Sequence, residues 1–286
     1  EKKLSKFTGS KFCISVSSGT DALLVAMMAL GIKNDDEIIT TPFTWISASE
    51  MASLLGAKSV FVDIDPETYN IDAKKIEQKI TKKTKLIIAT NIFGQCSEID
   101  EINAIAQKYS LPVIEDAAQS LGAIYKGKKS CNLTSVGCTS FFPSKPLGCY
   151  GDGGACFTND QKLYEKISEL RLHGQSKGAR YKYNSIGING RLDTIQAAIL
   201  LAKLEIFENE LKLRLEIGDK YTKLIEEKSV QIKTPKVLRH NTSVYAQYTI
   251  QLENRDQVAE KLREKKIPTA KYYPTPLSQL SLFQSK

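Results

Sequence analysis

From about residue 12 to 160, short β-branched runs alternate with segments whose apolar residues recur at helical spacing. Ile38-Ile39-Thr40, Ser59-Val60-Phe61-Val62, Leu86-Ile87-Ile88-Ala89 and Pro112-Val113-Ile114 read as buried strands. Segments near 20–31, 44–55, 72–80 and 98–109 read as the helices between them. The alternation predicts an α/β fold, a mostly parallel sheet with helices on both faces. Ligands in such folds gather at the carboxyl ends of the strands, so the loops there are the ones to inspect for chemistry.

A longer helical stretch is predicted from Leu192 to about Glu227, with Ile195, Ala198, Ile199, Ala202, Ile206 and Leu213 falling largely on one stripe. It leads into a smaller α+β part, where Val244 to Leu252 reads as a strand and Asp256 to Lys266 as a helix. The expected division is a large domain over residues 1–210 and a smaller, partial C-terminal domain over 211–286. No internal repeat or low-complexity tract interrupts this pattern.

Composition narrows the class. The 286 residues allow one or two domains, and 42% hydrophobic with 25% charged residues is ordinary for a globular protein. The longest apolar run, Ala22 to Leu30, is too short to span a bilayer, and the N-terminus lacks a secretory pattern, so the expectation is a cytoplasmic protein without a membrane segment. A net charge of +8 fits an anionic substrate and would also fit weak nucleic-acid binding. The basic residues are scattered, as in Lys74-Lys75 and Lys82-Lys83, so the default is a solvated surface with no nucleic-acid partner. Cys13, Cys96, Cys131, Cys138, Cys149 and Cys156 form no C-x-x-C pair and have only His173 and His240 to join them, which predicts unpaired thiols and no metal site.

Five places carry candidate chemistry. Lys145 lies in Phe-Phe-Pro-Ser-Lys-Pro-Leu-Gly (141–148), where Pro146 fixes the chain after it. Such a lysine is a candidate imine-forming nucleophile, although a Lys-Pro step read alone is an ordinary loop lysine. Ser17-Ser18-Gly19-Thr20-Asp21 precedes a helix and reads either as a phosphate cradle or as a simple cap by Thr20 or Asp21. Asp116 and Gln119, three apart after a strand, suit a ring nitrogen and a phenolic oxygen, or else a helix cap and a surface amide. Trp45, the only tryptophan, could stack on a planar ring or pack in the core, and Arg191 in Asn189-Gly190-Arg191-Leu192-Asp193 suits a phosphate or carboxylate or is an exposed loop arginine.

Taken together, Ser18-Gly19-Thr20-Asp21-Ala22-Leu23, Thr44-Trp45, Glu115-Asp116-Ala117-Ala118-Gln119-Ser120, Ser140 with Lys145, Gly151-Asp152-Gly153-Gly154-Ala155 and Asn189-Gly190-Arg191-Leu192-Asp193 resemble the DegT/StrS family of nucleotide-sugar aminotransferases, in order and spacing over nearly the whole chain. The resemblance implies a fold-type-I enzyme using pyridoxal 5'-phosphate (PLP) and working as a homodimer with shared active sites. By position, Lys145 would be the Schiff-base lysine, Asp116 the partner of the pyridine nitrogen and Gln119 the contact to the phenolic oxygen. Trp45 would stack on the ring, and Gly19, Thr20 and Ser140 would hold the phosphate, with Asn189 as the phosphate ligand given by the neighbouring subunit. Lysine at 145, where a minority of the family has histidine and dehydrates, points to transamination.

The run Pro143 to Gly154 is similar to the subgroup that aminates C3 of UDP-2-acetamido-2-deoxy-3-oxo-glucuronate with L-glutamate as donor, for surface polysaccharides such as O-antigen. Arg191 would then meet the sugar carboxylate or phosphate across the dimer interface. Amination of another dTDP- or UDP-linked keto-deoxysugar is the alternative within the class, and a catalytically impaired PLP-binding or regulatory protein the alternative outside it. The chain opens without methionine and stops soon after Pro276, where the family continues, which predicts a trimmed small domain. It has Ser278 where many relatives have histidine after Pro-Leu, so that substrate contact does not carry over.

Overall fold

The structure is a computed structural model and describes residues 1–228 and 231–284. In chain order its elements are α1 (Lys2–Thr8), β1 (Phe12–Val16), α2 (Gly19–Ala29), β2 (Glu37–Thr40), α3 (Ser47–Leu54), β3 (Lys58–Phe61), β4 (Thr84–Thr90), α4 (Ile99–Lys108), β5 (Val113–Asp116), the hairpin strands β6 (Ile124–Tyr125) and β7 (Lys128–Lys129), β8 (Val136–Ser140), β9 (Gly154–Thr158), α5 (Gln161–Leu170), α6 (Thr194–Leu204), α7 (Phe207–Glu227) and α8 (Arg255–Glu264). Seven strands form one sheet in the order β1-β9-β8-β5-β4-β2-β3. Strands β3, β2, β4, β5 and β8 run parallel, and β9 runs antiparallel to both its neighbours.

The apolar runs divide between two faces because successive side chains of a strand point to opposite sides. Ile38, Leu86, Ile88 and Ile114 pack under α2, α3 and α5 with Leu23, Met27 and Ile167. Their neighbours Ile39, Ile87, Ala89 and Val113 face α4 with Ile99, Ile102 and Ala106. Strands covered on both faces have no polar alternation to show, which is why these segments read as continuous hydrophobic runs. All six cysteines are free and buried.

Three sequence expectations change. Residues 72–80 form two 3₁₀ turns, Ala73–Lys75 and Glu77–Lys79, and not an α-helix. Asp72 caps the first through Lys74 N at 3.1 Å, and the buried pair Ala73 and Ile76 recurs every three residues, which matches a 3₁₀ turn. The stretch from Leu192 to Glu227 breaks at Glu205-Ile206 into α6 and α7, and its packed residues include Leu200 and Phe207, whereas Ile195 is 73% exposed and Ile206 55% exposed. Two apolar stripes exist, and spacing alone does not say which one meets the chain's own core. Val244 to Leu252 is irregular: Val244 N donates to Gly94 O at 2.9 Å, Tyr245 has φ 41°, and only Gln251 forms a bridge, with Lys233. An apolar run without a neighbouring strand to pair with does not become one.

Glu115 is fully buried between β4 and the turn after β7. Its carboxylate accepts from Asn91 Nδ2 at 2.8 Å, Ser130 Oγ at 2.7 Å and Cys131 N at 2.9 Å. Burial pushes the carboxyl up to about 7 from an ordinary 4.5, outweighing these donors, which pull it down. The native state therefore keeps the proton more tightly than the unfolded chain, and stability falls as pH rises from about 4.5 through 7. Glu115→Gln lacks this titration, so the stability of the wild type relative to the variant should fall by about 3 kcal/mol between roughly pH 4 and 8. Urea denaturation at both pH values measures it, and parallel pH curves for the two proteins would refute it.

Candidate active site

The site is built where α2 starts against the ends of β8 and β9. Ser18, in extended conformation, caps α2 by accepting from Asp21 N at 3.0 Å, so the cap is Ser18 and neither Thr20 nor Asp21. Ser17 Oγ donates to Asp21 Oδ2, which fixes the first turn from the other side. A Cβ on Gly19 would lie 2.6 Å from Ser140 Cβ, and one on Gly154 would lie 2.3 Å from the Ser18 carbonyl oxygen. Only glycine allows this approach, which brings Gly19, Thr20 and Ser140 together. Among the described residues the N–H groups of Gly19 and Thr20 find no acceptor, as expected at a helix start, and the positive end of the helix favours an anion there.

Asp116 ends β5 and accepts from Ala118 N at 3.1 Å. The chain then turns instead of forming a helix, with Ser120 N donating to Ala117 O at 3.1 Å. Gln119 is buried in this turn, and its Oε1 accepts from Gln247 Nε2 at 3.4 Å, which leaves its own amide nitrogen for another partner. Lys145 lies in the loop between β8 and β9, its N–H donating to Phe142 O at 2.8 Å. Burial lowers the Lys145 amine below its ordinary range, and the negative charge of Asp116 opposes that shift. Burial raises the Asp116 carboxyl, and its hydrogen bond from Ala118 and the charge of Lys145 oppose it. The two groups feel each other's charge across the site.

Trp45 is 63% exposed, so it is not a core residue, and its ring lies 6.4 Å from that of Tyr273. Asn189 and Arg191 are exposed at the start of the segment leading into α6. The chain ties Gly190 between them to the cradle, since Ser17 N donates to Gly190 O at 3.0 Å, but among the described residues neither side chain has a hydrogen-bond partner within the chain.

A model of the DegT/DnrJ/EryC1/StrS aminotransferase family matches residues 1–286. UDP-2-acetamido-2-deoxy-3-oxo-D-glucuronate aminotransferase of Pseudomonas aeruginosa is 54% identical over 279 residues, which cover 98% of this chain and 77% of that relative. The chain belongs to the DegT/DnrJ/EryC1/StrS aminotransferase family. A family member from Brucella abortus has a solved structure that matches at a TM-score of 0.95 with 39% identity, over 99% of this chain and 77% of its own. NtdA from Bacillus subtilis, solved with bound cofactor PMP, matches at 0.87 with 29% identity, over 98% and 66%. The sheet and its helices form the fold-type-I aminotransferase architecture.

In this aminotransferase one site residue was not singled out from the sequence. Tyr273 packs edge-on against Phe43 at 6.1 Å and beside Trp45, and burial, with the nearby charge of Asp116, pushes its phenol up to about 12. Its segment is pinned by Leu277 N donating to Pro42 O at 2.8 Å and by the ring of Phe283 on Phe61 at 5.8 Å. The available signal was the run Tyr272-Tyr273-Pro274-Thr275-Pro276, whose stiff, aromatic character suits a fixed wall of a pocket. The tight joint predicts that Gly154→Ala forces β9 away from α2 and destabilises the fold by about 1–3 kcal/mol. Urea denaturation tests this, and an unchanged midpoint would mean that the joint yields freely.

Proposed function

We propose that this nucleotide-sugar aminotransferase uses PLP to transfer an amino group from L-glutamate to a nucleotide-linked ketosugar, with UDP-2-acetamido-2-deoxy-3-oxo-glucuronate as substrate and surface polysaccharide as the destination of the product. The observation that carries the chemistry is the opposition of the half-buried Lys145 and Asp116, each shifted toward its neutral form by desolvation, beside the cradle of Gly19, Thr20 and Ser140. The high identity to the Pseudomonas aeruginosa relative supports the substrate.

The donor set fits the cofactor. A phosphate would take the N–H groups at the start of α2 and the hydroxyls of Thr20 and Ser140. Asp116, as a carboxylate, would hold a proton on the ring nitrogen, and the free amide nitrogen of Gln119 would donate to the phenolic oxygen. Trp45 and Tyr273 supply aromatic surface at the same opening. When bound, the cofactor supplies an aldehyde for amines and a ring that accepts the electron pair left when a C–H proton departs. Lys145 does the chain's own work: desolvation increases the neutral share of Nζ, which serves first as nucleophile and then as the base that carries the proton.

We further propose a homodimer in which Asn189 and Arg191 reach the partner's site. The exposed apolar residues Ile195 on α6, Ile206 at the break and Leu213 and Ile217 on α7 support this, since an isologous dimer buries one such patch against its copy. The large cofactor-binding part would run over 1–210 and the part of the small domain over 211–286.

Incubation with PLP, glutamate and a panel of nucleotide ketosugars, with product identification by mass spectrometry, tests the reading directly. Lys145→Ala should lose transamination at least about a thousandfold while keeping the wild-type fold. Borohydride trapping should modify the wild type at Lys145, and modification at another lysine would sink the assignment. Arg191→Lys should raise the KM of a uronate substrate on the order of tenfold more than that of a neutral ketosugar on the same nucleotide, because lysine cannot reproduce a two-bonded fork on a carboxylate. Equal losses for both sugars would move the contact of Arg191 to the phosphates.

A further inference from the structure

The loop over residues 141–153 that carries Lys145 is closed at its base by Phe141 N donating to Gly153 O at 2.7 Å and drawn in by Cys149 N donating to Phe141 O at 2.8 Å. Its far side, beyond Lys145, rests on α6. Lys203 Nζ donates to Gly148 O at 2.5 Å, and Gln196 Oε1 accepts from Tyr150 N at 2.8 Å. A Cβ on Gly151 would come within 3.0 Å of Gln196 Nε2, so the side-chain amide packs closely against the loop. Between these two contacts Leu200 is buried in the same cluster as Phe141, Leu147 and Cys149. Gln196, Leu200 and Lys203 are spaced four and then three residues apart, so they form one stripe on the helix.

Lys203 is unusual among the lysines because its ammonium is directed at a backbone carbonyl and lies 5.4 Å from the ring of Tyr150, and among the described residues it has no carboxylate partner. A charge-assisted bond to a carbonyl is stronger than a neutral one and fixes a direction as well as a distance. The carbonyl it holds lies three residues after Lys145 and just past the rigid Lys145-Pro146 step.

We propose that Lys203 and Gln196 of α6 are positioning residues that clamp the 148–151 part of the loop and so aim the Lys145 amine at the reacting carbon. The proposal rests on the reading of Lys145 as the nucleophile. Neither α6 residue touches the reacting atoms in this assignment. They hold the carbonyl and N–H groups of the loop, and the loop holds the lysine. Loss of the clamp leaves the amine present and its aim loose, a change that costs rate more than affinity.

The test uses the full chain and two measurements. Amide hydrogen exchange of the cofactor-free protein reads the loop, and the rate of borohydride-trappable capture of PLP at Lys145, followed by mass spectrometry, reads the aim. In Lys203→Met, exchange within 148–151 should quicken about tenfold or more while β4, β5 and β8 keep their parent rates, and capture should slow on the order of ten- to a hundredfold. Lys203→Arg should recover most of both, because it restores a cationic donor. Gln196→Leu should reproduce the quickened exchange at Tyr150. Parent-like exchange and capture in Lys203→Met would overturn the clamp, as would equal acceleration across the sheet, which marks a merely structural role. If the parent chain itself is not captured at Lys145, the reading of the site falls, while the exchange comparison, made without cofactor, still decides whether α6 clamps the loop.

Discussion

The contact on which the site depends is the close approach of α2 to the ends of β8 and β9. Gly19 against Ser140 and Gly154 against the Ser18 carbonyl leave no space for a side chain. The helix start therefore sits directly on the strand pair, with its unpaired N–H groups facing the same opening as the loop that follows β8. A phosphate-sized anion and a lysine on that loop can then share one small volume. An additional methyl group at either glycine would have to move either a backbone carbonyl or the end of a central strand, and neither gives way easily inside a packed sheet.

Electrostatics follow from that geometry. Lys145 is lowered by burial and Asp116 is raised by it, so desolvation pushes both toward their neutral forms while each restrains the other. Under the proposed function this balance would suit a lysine that must lose its proton to attack, opposite an acid that must keep its charge to hold a proton elsewhere. Glu115, one residue before Asp116, is tied to β4 and to the turn after β7 by its hydrogen bonds to Asn91, Ser130 and Cys131, and this fixes the strand end from which Asp116 projects.

Helix α6 presents two different sides. One stripe, Gln196, Leu200 and Lys203, lies on the loop of Lys145, and the other carries exposed apolar residues such as Ile195. A protein copy covering the second stripe would stiffen the helix that holds the first. If the proposed dimer and the proposed clamp both hold, subunit association and the aim of the lysine are linked through one short element.

The layer architecture was legible in the chain alone, because buried strands and their helices are written in local hydrophobic period, and the order of Gly19, Thr20, Asp116, Gln119, Ser140 and Lys145 pointed to the family and to these positions as candidates. Tertiary structure decided everything that depends on a partner distant in the chain. Residues 72–80 became 3₁₀ turns and Val244 to Leu252 stayed irregular because the available neighbours, not propensity, set their hydrogen bonds. Tyr273 joined the site because Pro42 captures the backbone of Leu277, a pairing more than two hundred residues apart in the chain that no local pattern announces. Which side of α6 turns inward was likewise decided by the loop it meets, since the inward stripe carries the polar Gln196 and Lys203 beside Leu200 and only the packed chain shows the Tyr150 N–H and the Gly148 carbonyl that they hold.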